Sequence, residues 1–342
     1  MKKLFSSIVA IDSDGIPYNI PNIRYKKWKI SSLGFREKEF DLEKKKGRIR
    51  IMCFGSSETL GVHETEGKEW PSQLGEMLKD KYPEVEVINI SIMGLSQKMR
   101  KAYIEKYVLP LKPDIIVMNH HRLFFHIRES IRGEDIDIIP CLINENIKNY
   151  SKIRVLFDRV LSNFRNVIYK FLPNMVLSYY SMWRLRKKIK IKEKEYLQNK
   201  TPLNEIPENI ILQYEKELNA FIDYLKEKNI VPVMPTFPFL TTFSNKNTYK
   251  TILMETRLMF FIEFSEDGIL DAMSKLNNLI KKTAEKQNVV CIDIDNLLPK
   301  TLEYFADELH YTDKGAELIA QEICKSLIRS NFCGTKPILN NS

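Results

Sequence analysis

The sequence predicts a three-layer α/β sandwich built on a five-stranded parallel sheet. Five short runs rich in Val and Ile read as buried strands: IRIMCFG (49–55), VEVINIS (85–91), DIIVMNH (114–120), IVPVMPTF (230–237) and VVCIDID (289–295). Helical patterns lie between and after them. Strands that alternate with helices pair in parallel through right-handed crossovers, with helices on both faces of the sheet.

Taken in order, residues 1–48 precede the first strand and are rich in Lys, Pro and aromatics. They are expected to form an irregular lead-in packed on the domain. Helices are expected over about 68–82, 97–108, 207–228, 268–286 and 313–330. In the third of these Ile211, Leu218, Phe221 and Leu225 fall on one face. One connection is out of proportion, because no strand appears between His121 and Glu208. The expected organisation is one α/β domain over 49–330, interrupted by a helical basic insertion at 122–207 and followed by a tail at 331–342. There is no internal repeat and no low-complexity tract.

Hydrophobic residues make up 44% of the 342 residues and charged residues 28%, enough to bury a core. No uncharged apolar stretch approaches the ~18 residues that span a bilayer. The N-terminus, Met1-Lys2-Lys3 before LFSSIVAI, has the charge of a signal peptide, but the apolar run is short and Asp12 and Asp14 follow it. Cys53, Cys141, Cys291, Cys324 and Cys333 are odd in number and contain no CxxC pair. That usage suits a reduced, cytoplasmic chain without a disulfide framework.

The net charge of +9 is local. Residues 151–200 hold 13 Lys/Arg against 3 Asp/Glu, whereas the rest of the chain holds 40 against 41. A single basic element argues against a nucleic-acid surface, and no nucleic-acid partner is expected. Within it Leu156, Val160, Phe164, Val167, Ile168 and Phe171 recur at helical spacing, and VLSYYSMWRLRKKIKIKEKEY follows Pro173. Three readings stand: a helical lid packed on the sheet, peripheral contact of 151–200 with an anionic membrane at its inner face, or contact with a partner protein or anionic glycan.

Two stretches carry chemistry. The first strand runs into Gly55-Ser56-Ser57-Glu58-Thr59-Leu60-Gly61. A serine on a tight strand-to-helix turn is exposed, and backbone N–H groups nearby can face an oxyanion. The plain alternative is a helix cap. Near the other end stands Asp307-Glu308-Leu309-His310, then Tyr311-Thr312-Asp313-Lys314-Gly315 and a helix. Histidine is the usual base for a serine, and an aspartate three residues upstream can curl back onto its other nitrogen. The plain alternative is an acidic helix cap with an incidental histidine.

Together these stretches resemble the SGNH (GDSL-type) hydrolase superfamily, whose serine follows the first strand and whose Asp-x-x-His precedes the last helix. RIRIMCFGSSETLG resembles its first block, and VINISIMGLS its second, with Asn89 and Gly94 in place. LKPDIIVMNHH resembles the approach to the third block, and VVCIDID through FADELHYTDKGAELIAQEI resembles the last. SSLGFREKEF (31–40) resembles the lead-in of bacterial members associated with surface-polysaccharide loci. The likeness covers roughly 31–120 and 229–330.

The resemblance implies a flavodoxin-like order of the sheet. It implies Ser57 as nucleophile, His310 as base and Asp307 as its orienting acid, with the N–H groups of Ser57 and Gly94 in the oxyanion hole. Ser56 replaces the usual aspartate. The third-block asparagine, counted from Pro113-Asp114, falls on Leu123, and its glycine on His121. Asn119 is out of register but close, and is the candidate substitute donor, with His120 and His121 as further candidates.

His120, His121 and His126 cluster with Glu129, yet adjacent strand residues point to opposite faces. No metal site and no cofactor are expected, and His63 reads as a surface or rim residue. The expected activity is hydrolysis of an acyl ester, on an O-acylated carbohydrate or lipid, through an acyl-Ser57 intermediate. The alternatives are an O-acyltransferase with the same triad, or a catalytically degenerate fold that binds glycans or partners.

Overall fold

A computed structural model describes residues 7–93, 95, 97–119, 194, 201–330 and 332. The basic segment apart from Lys194, together with Gly94, Leu123, His120, His121, His126 and Glu129, lies outside the described residues. Five strands form one parallel sheet: β5 (Ile49–Phe54), β6 (Val85–Asn89), β7 (Ile115–Met118), β8 (Val231–Pro235) and β9 (Val290–Ile292). Their order is β6-β5-β7-β8-β9. The register sets Cys53 beside both Asn89 and Val117. The chain leaves β5 for one side of the sheet and then crosses to the other, so the winding reverses at the carboxyl end of β5. A crevice opens outside the sheet at such a reversal.

The two faces of β5 follow its alternation. Met52 and Phe54 join a core layer with Ile116, Met118 and Met234. That layer is covered by α4 (Glu208–Glu227) and α6 (Glu266–Lys286). Ile51, Cys53, Val117 and Val233 face the opposite layer. There Trp70, Leu74 and Leu78 of α2 (Trp70–Lys79) meet Ala316, Ile319, Ala320 and Ile323 of α8 (Asp313–Arg329). Burial on both faces explains why these strands read as unbroken Val/Ile runs.

Three local features differ from expectation. The lead-in contains two short antiparallel hairpins, β1 (Val9–Ile11) with β2 (Pro17–Asn19) and β3 (Arg24–Tyr25) with β4 (Trp28–Lys29). The first turns through Asp12-Ser13-Asp14-Gly15. There Oδ1 of Asp12 accepts the N–H groups of Asp14 and Ile16 at 2.9 and 2.8 Å, and Gly15 has φ +79°. This is an Asx-type turn, whose signal is four residues long and easily passed over.

The predicted helix at 97–108 divides into α3 (Gln97–Tyr103) and a π-helical turn over Ile104–Val108. A helix α5 (Lys250–Phe260) lies where none is expected. Its apolar residues run together instead of recurring on a stripe. Tertiary contacts hold it: Leu253 is fully buried, and Arg257, itself buried, donates to the Phe264 carbonyl at 3.2 Å.

The lead-in does more than cover the sheet. Ile8, Val9 and Trp28 pack in one cluster with Leu60, Val62 and Met93. Leu60 ends α1 (Ser57–Leu60), so the hairpins seat directly against the serine turn.

Candidate active site

Ser57 opens α1 just past β5, at the reversal point of the sheet. The turn is tightly specified. A Cβ on Gly55 would lie 2.1 Å from Thr59 Oγ1, so only glycine fits there. The buried Glu58 carboxylate accepts the Ser56 N–H at 2.7 Å. Asn89, at the end of β6, donates to the Thr59 carbonyl at 3.0 Å and fixes the turn to the neighbouring strand. Gly61 then closes α1 in the left-handed region, with φ +79° and its N–H on the Ser57 carbonyl at 3.0 Å. The first N–H groups of a helix have no acceptor inside it, and that of Ser57 is among them.

The histidine comes from a loop between α7 (Ile294–Leu297) and α8. Phe305 and Tyr311 bridge across its base. Oδ1 of Asp307 accepts the N–H groups of Leu309 (2.9 Å) and His310 (3.0 Å), which curls the loop and aims the carboxylate at its own histidine. Glu308, fully buried, receives the N–H and hydroxyl of Thr241 at 2.7 and 3.0 Å, tying the loop to the exit of β8. Burial pushes the Glu308 carboxyl up to about 7. Pro235-Thr236-Phe237-Pro238-Phe239 forms that exit. Its two phenylalanines are buried in the core, which makes it a rigid strand end.

These loops bring Ser57, His310 and Asp307 together. His310 Nε2 lies 2.9 Å from Ser57 Oγ. Its Nδ1 lies 2.9 Å from each Asp307 oxygen. His310 is 3% exposed and Ser57 half-buried. Burial alone would lower the His310 pKa, but the hydrogen bond and charge of Asp307 outweigh it, so the net shift is upward. Burial would raise Asp307, yet hydrogen bonds from His310 and His63 hold it well below the usual carboxylate range.

His63, expected as a surface or rim residue, stands at the rim of the site. It is half-exposed, as a rim residue is, but its Nε2 lies 3.2 Å from Asp307 Oδ2. Asp307 therefore stands between two imidazoles. The only sequence signal is position: His63 follows Gly61 by two residues, and the left-handed turn there folds the chain back over the serine.

Asn119, the expected substitute oxyanion donor, holds a different post. Its backbone N–H extends the sheet to the Phe54 carbonyl at 2.8 Å. Its amide meets Thr59 Oγ1 at 3.4 Å, and the residue is 6% exposed. With Trp70, Thr236 and Tyr311 it lines a small interior cavity beneath the turn. Alternation along β7 explains this: Asn119 shares its face with Val117, whose side chain enters the α2/α8 layer. Gly94, the other expected donor, lies outside the described residues.

A parallel sheet with a serine at its reversal point, hydrogen-bonded through histidine to aspartate, is the architecture of an α/β serine hydrolase. Residues 51–323 match the family model of the GDSL-like lipase/acylhydrolases. The chain belongs to that family, and so to the SGNH hydrolase superfamily of ester hydrolases.

Among solved structures the chain is similar to an acetyl xylan esterase, AlAXEase (16% identity, 82% of this chain and 100% of that one, TM-score 0.46). It is also similar to an acetyl xylan esterase variant from Geobacillus stearothermophilus (14%, 82% and 94%, TM-score 0.44). A third is a lipase/acylhydrolase from Enterococcus faecalis (14%, 82% and 96%, TM-score 0.45). These likenesses are of fold alone. No curated protein matches the sequence. Among the described residues no helix is long and apolar enough to cross a membrane.

Proposed function

We propose that the protein is a serine-dependent acyl ester hydrolase acting through an acyl-Ser57 intermediate on an O-acylated carbohydrate or lipid. The observation that carries this reading is the unbroken hydrogen-bonded chain Ser57 Oγ, His310 Nε2, His310 Nδ1, Asp307. His310 removes the Ser57 proton as Oγ attacks the acyl carbonyl. Asp307 keeps the other ring proton on Nδ1 and stabilises the imidazolium that forms. The Ser57 N–H faces the developing oxyanion at the start of α1. His310 then returns its proton to the departing alkoxide, leaving acyl-Ser57. Water, deprotonated by the same nitrogen, releases the acid.

A carbohydrate is the favoured alcohol because SSLGFREKEF resembles the lead-in of members associated with surface-polysaccharide loci. Its Arg36 donates to the carbonyls of Leu60 and Gly61 at the end of the serine turn.

A fluorophosphonate probe is expected to label wild-type protein at Ser57 and to leave Ser57→Ala unlabelled, while wild type cleaves p-nitrophenyl acetate. Wild type that takes no label, or equal labelling of the variant, would sink the reading. The pH profile follows from His310. The base works only unprotonated, and Asp307 raises its pKa above the ordinary 6.5. Acetate release should therefore fall as pH drops through a midpoint above 6.5. An acid limb centred below 6.5 in a kcat/KM profile contradicts this.

A further inference from the structure

We propose that His63, Asp307 and His310 bind a divalent transition metal of the zinc class, and that this binding switches the serine centre off. Three observations converge. First, one ligand atom from each of the three residues lies within 4.8 Å of the others. Oδ2 of Asp307 is 3.2 Å from His63 Nε2 and 2.9 Å from His310 Nδ1, so one carboxylate oxygen links both rings. The ring centroids are 5.3 Å apart. Zinc bonds of about 2.0–2.1 Å in a tetrahedron separate ligand atoms by roughly 3.3 Å, a spacing that both Asp307 separations approach. Second, the donor set is one zinc favours: two imidazoles and a carboxylate, with a fourth position left for water. Third, the site opens to solvent on one side. The side chains of His63 and Asp307 are 45% and 36% exposed, while His310 closes the inner side at 4%.

The backbone that carries His63 is anchored in this place. Its own N–H donates to the buried Glu64 carboxylate at 3.0 Å. Two residues on, the N–H and hydroxyl of Thr65 both donate to Asp313 at 2.7 Å, which clamps the loop to the start of α8. Both histidine-bearing loops are thus anchored at one helix end.

The effect on chemistry follows from proton placement. As base, His310 carries its proton on Nδ1 and offers a bare Nε2 to Ser57. A metal takes the Nδ1 lone pair. In the neutral ring the proton moves to Nε2 with no net release; an imidazolium would release one proton. Either way Nε2 becomes a donor to Ser57 Oγ and cannot accept the serine proton, and the Asp307 charge is drawn to the ion. Metal binding and nucleophile activation exclude one another. The loss of rate rests on the proposed hydrolase mechanism; the binding itself does not.

The test uses Co²⁺, whose visible absorption reports nitrogen and oxygen ligation, and Zn²⁺ as competitor, on the full chain. Wild type and Ser57→Ala should each take up one Co²⁺ that Zn²⁺ displaces, since the serine is not a ligand. His63→Ala and His63→Gln should lose that band. In ester hydrolysis, the Zn²⁺ concentration that halves each protein's own metal-free rate should rise at least tenfold in both His63 variants. Wild type that binds no Co²⁺, or His63 variants that match wild type in Co²⁺ uptake and Zn²⁺ sensitivity, would overturn the proposal. If Co²⁺ uptake depends on His63 while no ester is cleaved, the metal site stands and the hydrolase reading falls.

Discussion

Ser57→Ala is expected to lower kcat for acyl ester hydrolysis by on the order of 10⁴–10⁶, with Asp307→Asn close behind at about 10⁴. The serine has no second task that would blur the result. The helix cap position is Ser56, and the Ser57 hydroxyl is bonded to His310. The variant should therefore melt within about 0.5 kcal/mol of wild type. Asp307→Asn keeps an oxygen for the N–H groups of Leu309 and His310, so the loop survives. Its amide, however, donates to Nδ1 and forces the ring proton onto Nε2, the tautomer that cannot accept from serine. Because the three residues act as a unit, Ser57→Ala/His310→Ala should be no slower than either single variant. Steady-state rates on one acetate ester, with circular dichroism to confirm folding, decide it. A His310→Ala enzyme within tenfold of wild type would show that Ser57 is not activated by this histidine.

How much of this site was legible depended on how local each signal is. Ser57 was readable because Gly55 and Gly61 bracket it at the end of a strand whose Val/Ile run marks burial on two faces. Asp307 and His310 were readable because the bond between them closes within one turn of chain. The sheet was readable because five runs of one kind alternate with helices.

The rest depends on contacts distant in sequence. His63 joins Asp307 across 244 positions, through a left-handed residue whose conformation a sequence does not display. Asn119 was counted against a family register and looked like a spare donor. Alternation along β7 had already turned it toward the layer of α2 and α8. The lead-in read as irregular because strands of two or three residues are too short to show a period of two.

Arg36→Met is expected to cost about 3–5 kcal/mol. The guanidinium and the Glu69 carboxylate are 3.3 Å apart, and their side chains are 3% and 4% exposed. The same guanidinium caps the carbonyls of Leu60 and Gly61, and Trp28 Nε1 adds a further bond to Gly61 at 3.3 Å. Burial lowers the pKa of Arg36, and the Glu69 and Glu64 carboxylates act against that shift. Arginine stays charged throughout.

Removing Arg36 strips the buried Glu69 carboxylate of its counter-charge, leaving it only the Gly67 N–H and the Ser72 hydroxyl, and takes a donor from the carbonyls of Leu60 and Gly61, a cost that methionine's good packing cannot offset. The pair itself contributes far less, because both charges were desolvated to make it. Arg36→Met/Glu69→Leu should therefore recover part of the loss. By contrast, Lys38→Ala, which breaks an exposed pair with Glu76, should shift stability by under about 1 kcal/mol. Denaturant midpoints at constant m-value separate these cases.

The change should also slow catalysis more than a surface variant of equal stability. The carbonyls that Arg36 holds set the left-handed turn from which Ser57 and His63 are aimed. A double variant no more stable than Arg36→Met would mean that the carbonyl contacts, not the uncompensated charge of Glu69, carry the cost.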